Sequence, residues 1–145
     1  MRKNIFEAIR KYNSLTAEMD AIYHKFALKL GINDSVSEIL YVMSYNDGEL
    51  PLGEICRLSA MSRQTVNSAL RKMEDEELIY LESIDGKSKK VCFTEKGKEY
   101  TENTVNKIIE IENEICENWS DKDMKKYIEL TEKFVKALDE KVKEF

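Results

Sequence analysis

The sequence is poor in residues that break helices and in residues that build covalent or metal-bound frameworks. It has one proline and five glycines in 145 residues, so few positions force a chain break and we expect helices to dominate. Its three cysteines, Cys56, Cys92 and Cys116, are odd in number and far apart. That pattern is typical of a reducing cytosol and not of a disulfide framework. A metal site or catalytic constellation built on histidine would depend on His24 alone.

Long apolar runs and glycine-rich phosphate loops are also missing. No stretch approaches the roughly 18 apolar residues that cross a membrane, and the basic N-terminus lacks the apolar run of a signal peptide. We therefore expect a cytoplasmic protein with no membrane partner. Because no catalytic constellation or phosphate-binding loop is present, we expect a protein that is not an enzyme and uses neither a cofactor nor a metal.

Charge is abundant but unevenly distributed. Charged residues make up 35% of the chain and apolar residues 42%, which suits long helices with solvated outer faces. The net charge of −5 counts against a nucleic-acid partner. Residues 57–98, however, contain nine Lys or Arg and seven Asp or Glu. Phosphate contact requires a local basic surface, which this segment can supply.

Apolar spacing predicts two helices in the first third of the chain. Apolar residues recur at intervals of three and four residues from Ile5 to Leu30, which predicts a long helix. Gly31 is a suitable residue to end that helix. Ser35–Glu38 has the capping-box pattern, so we expect a second helix to begin there and to run to about Tyr45.

The next segment has the outline of a helix-turn-helix. Pro51 suits the first position of a short third helix, where its missing N–H costs nothing. Ser62 is a good N-cap for a fourth helix. Two short helices joined by a short turn, the second amphipathic, form this motif. The buried stripe of the fourth helix is expected to comprise Val66, Ala69, Leu70 and Met73.

A β-hairpin and two long helices are predicted to follow. The short β-prone runs Leu78–Leu81 and Lys90–Phe93 flank a turn that contains Gly86. Thr94 is expected to cap a long fifth helix, and Ser120 a sixth.

The predicted fold class is therefore mostly α with a small β-hairpin, a winged helix-turn-helix. The winged unit is placed at about 33–93, an N-terminal helix at 1–32 and C-terminal helices at 94–145. The apolar stripes of these flanking helices are too extensive for a small winged unit to cover alone. We therefore predict that they form a homodimer.

The fourth helix carries the first candidate site. Its polar side chains are of the types that recognise DNA. Arg forms hydrogen bonds with guanine, Asn and Gln form hydrogen bonds with adenine, and hydroxyl groups and Lys contact phosphates. An ordinary solvated helix face is the alternative. The acidic run Glu74–Glu77 follows at once and should point away from DNA. The candidate residues are Ser62, Arg63, Gln64, Thr65, Asn67, Ser68, Arg71 and Lys72.

The hairpin tip carries the second candidate site. Three lysines within four residues can enter a minor groove or lie along phosphates, although a charged hairpin can also simply aid solubility. The candidate residues are Asp85, Lys87, Ser88, Lys89 and Lys90.

The whole pattern resembles the multiple-antibiotic-resistance regulator (MarR) family. The resemblance is carried by Leu52–Cys56, Ser62–Val66, Leu78–Ile79 and Asp85–Gly97, the last of which is similar to the family's wing, Asp-x-Arg closing on Leu-Thr-x-x-Gly. It implies a homodimer held by the first, fifth and sixth helices. It also implies that the protein binds a double-stranded DNA operator and that a small aromatic or anionic ligand releases it from the DNA.

Two positions depart from the family pattern. Lys87 stands where arginine is usual, which keeps the charge but loses the planar fork of the guanidinium. Glu77 stands where the family has glycine after the recognition helix. If that position needs a positive φ, a side chain there costs roughly 1 kcal/mol.

The function we expect from the sequence is repression at a pseudo-palindromic operator, bound as a homodimer. Two alternatives stay open: a winged-helix scaffold for protein–protein contact, which the negative net charge favours, and a cysteine-based redox regulator.

Overall fold

The computed structural model describes residues 3–145 and confirms a mostly helical chain with a small antiparallel sheet. The elements in chain order are α1 (Lys3–Leu30), α2 (Asp34–Ser44), β1 (Glu49–Pro51), α3 (Leu52–Ser59), α4 (Arg63–Asp75), β2 (Ile79–Ser83), β3 (Lys89–Phe93), α5 (Glu95–Glu102), α6 (Val105–Glu117) and α7 (Asp121–Val142).

Several predicted helix boundaries are confirmed. Helix α1 ends at Leu30, and Gly31 follows with φ 72°. Ser62, Thr94 and Ser120 cap α4, α5 and α7. In each case the side-chain oxygen accepts a hydrogen bond from the backbone N–H three residues later, at 3.1, 2.9 and 3.1 Å respectively. Each cap satisfies a donor that the helix itself leaves free.

The predicted starts of α2 and α3 are wrong. Asn33, and not Ser35, caps α2, and its Oδ1 accepts the N–H of Val36 at 2.8 Å. Pro51 precedes α3 as its N-cap residue and also ends a strand, β1, that the sequence pattern did not predict. That strand is three residues long and buries only Leu50, so it leaves no periodic signal.

The predicted fifth helix is in fact two helices, α5 and α6, separated at Asn103 and Thr104. The side chains of Thr101, Asn103 and Thr104 each donate to the carbonyl four residues earlier, at 2.7, 2.9 and 2.7 Å. Such bonds give the backbone carbonyls a partner outside the helical ladder and often bend a helix. All three bonds lie at or beside the interruption.

The sheet places β3 between β1 and β2, with both pairings antiparallel. Ile79 lies opposite Phe93, and Val91 lies opposite both Leu81 and Leu50. Because side chains alternate along a strand, these pairs share one face of the sheet. That face joins the core that α2, α3 and α4 supply. The largest fully buried side chains of this core are Ile39, Leu40, Met43, Ile55, Met73, Leu78, Val66, Val91 and Val105.

The chain divides into two compact units, the first ending at Ile108 and the second spanning Ile109–Phe145. In the second unit, Trp119 contacts Tyr127 edge to face with ring centroids 5.5 Å apart. Aliphatic side chains at i, i+7, i+10 and i+14 form one stripe along α7 and are 47–62% exposed: Ile128, Val135, Leu138 and Val142. In the first unit, α1 also exposes apolar side chains, among them Ile5, Ile9, Met19 and Ile22.

The turn after α4 has the backbone conformation that the family's glycine implies. Glu77 has φ 59°, in the left-handed region that glycine occupies without steric cost. Its N–H donates to the Glu74 carbonyl at 2.9 Å, and its own carbonyl accepts the Thr94 hydroxyl at 2.6 Å. The backbone of Glu77 thus ties the end of α4 to the end of the hairpin in a conformation that costs a residue with a side chain more than it costs glycine.

Replacing Glu77 by glycine should stabilise the protein. The left-handed conformation costs a non-glycine residue about 1–2 kcal/mol, and the greater freedom of glycine in the unfolded chain offsets about 0.4–1 kcal/mol of the gain. We expect Glu77→Gly to raise the free energy of unfolding in urea by about 0.5–1 kcal/mol. Glu77→Ala, the matched control, should change it little. Equal stabilities of the two variants would show that the conformation carries no strain.

Candidate nucleic-acid interface

Helix α4 presents one apolar and one polar side. Val66, Ala69, Leu70 and Met73 are buried, which confirms the predicted stripe. At 100° per residue, Gln64, Ser68 and Arg71 lie opposite that stripe. All the candidate residues from Ser62 to Lys72 are exposed except Asn67, which is half-buried. Arg63, Arg71 and Lys72 form no ion pair within residues 3–145, so these cations remain available to a ligand.

The hairpin tip is held in one shape by Asp85. Its Oδ1 accepts the backbone N–H groups of Lys87 and Ser88, both at 2.8 Å, and its carbonyl accepts the Ser83 hydroxyl at 2.8 Å. The two backbone bonds lower the pKa of the Asp85 carboxyl. Ile84 closes the loop by donating to the Ser88 carbonyl at 3.0 Å. Asp85 therefore orders the tip that presents Lys87.

The three predicted tip lysines do not all lie at the tip. Lys87 does, whereas Lys89 and Lys90 are the first two residues of β3. Lys90 is half-buried, and its Nζ lies 3.2 Å from Glu49 Oε2 and 3.4 Å from Glu82 Oε2. These carboxylates, Glu49 first, raise the pKa of Lys90. The sequence could not show this because Glu49 comes from the unpredicted strand β1. Lys87 and Lys89 are exposed.

A groove beside α4 involves residues that the sequence pattern did not single out. It measures about 550 Å³ and lies between the first residues of α2 and one side of α4. We call it the α2–α4 groove. The residues that line it are Asn33, Asp34, Ser35, Gln64, Thr65, Ser68, Ala69 and Lys72. Asn33, a favoured N-cap residue type, was the available sign that a helix begins here.

The cysteines occupy three different environments. Cys56 is half-buried, Cys92 is buried and Cys116 is exposed. Burial raises the pKa of the Cys92 thiol, which disfavours the thiolate that reacts with oxidants. Cys92 on β3 is therefore a packing residue, which counts against the redox alternative at that position.

Neither a metal-binding cluster nor a membrane-spanning helix occurs in the described part of the chain. Residues 3–145 contain no group of three or more His, Cys, Asp or Glu side chains arranged to hold a metal ion. No helix within the same range has both the length and the apolar character needed to cross a membrane.

The fold, the polar side of α4 and the ordered hairpin define a winged helix-turn-helix protein. Residues 30–88, which carry α2 to α4 and the hairpin up to its tip, match the sequence model of the MarR family. The resemblance to the MarR family of transcriptional regulators is thereby confirmed. No curated protein sequence matches the chain.

Solved structures extend the likeness beyond the winged unit. NMB1585, a MarR family regulator from Neisseria meningitidis, has a TM-score of 0.82 at 15% identity over 94% of this chain and 97% of that one. The MepR–DNA complex of S. aureus has a TM-score of 0.67 at 19% identity over 89% and 96%. NadR in complex with 4-hydroxyphenylacetate has a TM-score of 0.67 at 15% identity over 92% and 93%. At these identities the likeness concerns the fold.

Proposed function

We propose that the protein regulates transcription by binding a DNA operator through α4 and the hairpin. The observation that carries the proposal is the polar side of α4, where exposed Arg63, Arg71 and Lys72 form no ion pair within residues 3–145. The winged helix-turn-helix class places such a helix in the major groove, where phosphate contacts position the protein and base contacts specify sequence.

The side chains divide between these two tasks. Gln64 and Asn67 can each form two hydrogen bonds with adenine, and Arg63 or Arg71 can do so with guanine. In this proposal Lys87, on a tip that Asp85 orders, approaches the minor groove or its phosphates, and Lys89 approaches the adjacent backbone. Base reading is therefore assigned to α4 and backbone binding to the hairpin.

The operator is expected to be pseudo-palindromic because the protein is expected to act as a homodimer. The exposed apolar stripes of α1 and of α7 support a dimer, since a monomer would leave both in water. We propose repression as the mode of regulation. We further propose release by a small aromatic or anionic ligand, which is supported by the complex of NadR, a protein of the same fold, with 4-hydroxyphenylacetate.

The hairpin lysines test the electrostatic half of this proposal. An operator would first be selected from random duplexes, and affinity would then be measured against salt on the operator and on a scrambled duplex. Lys89→Gln should weaken both complexes alike and flatten the plot of log affinity against log salt by about 0.9, the value for one lost phosphate contact. Lys90→Gln is the matched control and should leave the slope nearly unchanged, because Glu49 and Glu82 already hold that ammonium.

Two results would count against parts of this account. Equal slopes for the two variants would contradict the placement of the hairpin on DNA. Wild-type protein that retains no DNA above the scrambled background would contradict the function. That last result would favour the protein-contact scaffold instead.

A further inference from the structure

The α2–α4 groove combines phosphate donors with one acid. Several lining side chains can donate to an anion: the Ser35, Thr65 and Ser68 hydroxyls, the Asn33 and Gln64 amides and the Lys72 ammonium. Asp34 is the acid among them. A bare carboxylate at this position would repel any phosphate that enters. The charge of Asp34 therefore limits how tightly the groove can hold a phosphate.

Asp34 is held by a residue from another helix. His24 on α1 donates from Nδ1 to Asp34 Oδ2 at 2.7 Å. Both side chains are more than half exposed, so the bond lies within reach of solvent and of a bound strand. His24 occupies one carboxylate oxygen and directs a positive dipole at it. The bond thereby lowers the negative potential that Asp34 can project into the groove.

The position of the groove on α4 identifies what would enter it. Arg71 points directly away from the buried stripe, toward base edges in a docked complex. Gln64 points the same way and also lines the groove. Thr65 and Lys72 lie about 100° further round the helix than Gln64 and Arg71, on the side that faces the first residues of α2. The walls of a major groove are the two sugar-phosphate strands. A surface on the flank of the inserted helix consequently meets a backbone phosphate and not a base.

We propose that the α2–α4 groove binds one backbone phosphate of the DNA, and that His24 is a positioning residue that restrains the Asp34 carboxylate there. The inference rests on the proposed function and deepens it. It makes α1, the helix assigned to dimerisation, a determinant of DNA affinity through one hydrogen bond. Since the contact is to phosphate, it affects all sequences equally.

A double-mutant cycle tests the coupling on the full chain, with anisotropy titrations of the selected operator and a scrambled duplex. Asp34→Asn should tighten both complexes by roughly three- to tenfold, the range for removing one screened like-charge contact. His24→Gln should weaken both. In the Asp34→Asn background, His24→Gln should have no effect. Asp34→Ser, which also removes the charge and keeps a residue favoured at helix starts, should reproduce Asp34→Asn. Glu99→Gln is the control for loss of one negative charge on α5.

Duplexes with a neutral methylphosphonate at one position at a time then locate the phosphate. The gain from Asp34→Asn should vanish at a single position in each half-site and persist at all others. A gain that survives every methylphosphonate, a gain confined to the operator, or no gain at all would overturn the inference and leave the proposed function standing. If wild-type protein bound neither duplex, the function and the inference would both fail.

Discussion

Replacing Gly97 by alanine should destabilise the winged unit by about 3 kcal/mol or more, since excess volume costs 1–3 kcal/mol even where neighbours can yield. A Cβ at Gly97 would lie 1.9 Å from the Leu78 carbonyl oxygen and 2.9 Å from its carbon. Both atoms are backbone, and the same carbonyl accepts the Thr94 N–H at 3.1 Å. The start of α5 would have to move away from Leu78, the residue that precedes β2. This contact favours glycine at position 97 of this chain, which corresponds to the closing glycine of the family's wing motif.

Gly53 provides the matched control for this substitution. It lies in α3, and a Cβ there would meet nothing within 4 Å. Gly53→Ala should stabilise the protein by about 0.5–1 kcal/mol, the usual gain in a helix. Urea titrations of both variants against wild type measure the difference. A Gly97→Ala protein within about 1 kcal/mol of wild type would show that the contact between α5 and Leu78 relaxes easily.

The second large effect concerns assembly. The α7 stripe of Ile128, Val135, Leu138 and Val142 is 47–62% exposed in the single chain, and the proposed homodimer would cover it. Val135→Glu with Leu138→Glu would place four carboxylates in that interface. Each uncompensated buried charge costs several kcal/mol. We expect the dimer to weaken by at least about a hundredfold, measured by sedimentation equilibrium.

Lys133→Glu is the control for this pair because Lys133 lies on the opposite side of α7 from the stripe. It should leave the assembly unchanged. Wild-type protein that sediments as a folded monomer at micromolar concentration would contradict the dimer. So would a double variant that dimerises as tightly as wild type.

The sequence predicted the features that local chemistry decides. The helix caps at Ser62, Thr94 and Ser120 were predictable because each cap is a hydrogen bond between residues only three positions apart. The left-handed backbone at Glu77 is different, because only the resemblance to a family with glycine at that position pointed to it. The fold class followed from the order of these elements.

Features that depend on contacts between segments far apart in the chain could not be predicted from the sequence pattern. Lys90 is paired because β1 brings Glu49 beside β3, forty-one positions away along the chain. The α2–α4 groove forms only when two helices lie side by side, which apolar spacing along one helix does not predict. The spacing of apolar residues predicts which face of a helix or strand is buried. It does not predict which polar side chains from different elements contact each other.

The most direct test of the central claim compares Gln64→Ala and Asn67→Ala with wild type on the selected operator and on a scrambled duplex. If α4 reads bases, each substitution should cost roughly 1–3 kcal/mol on the operator and little on the scrambled duplex. Lys89→Gln, in contrast, should weaken both duplexes alike. Helix variants that lose the same affinity on both duplexes, or a lysine variant that alone loses the preference, would contradict the assignment of sequence reading to α4.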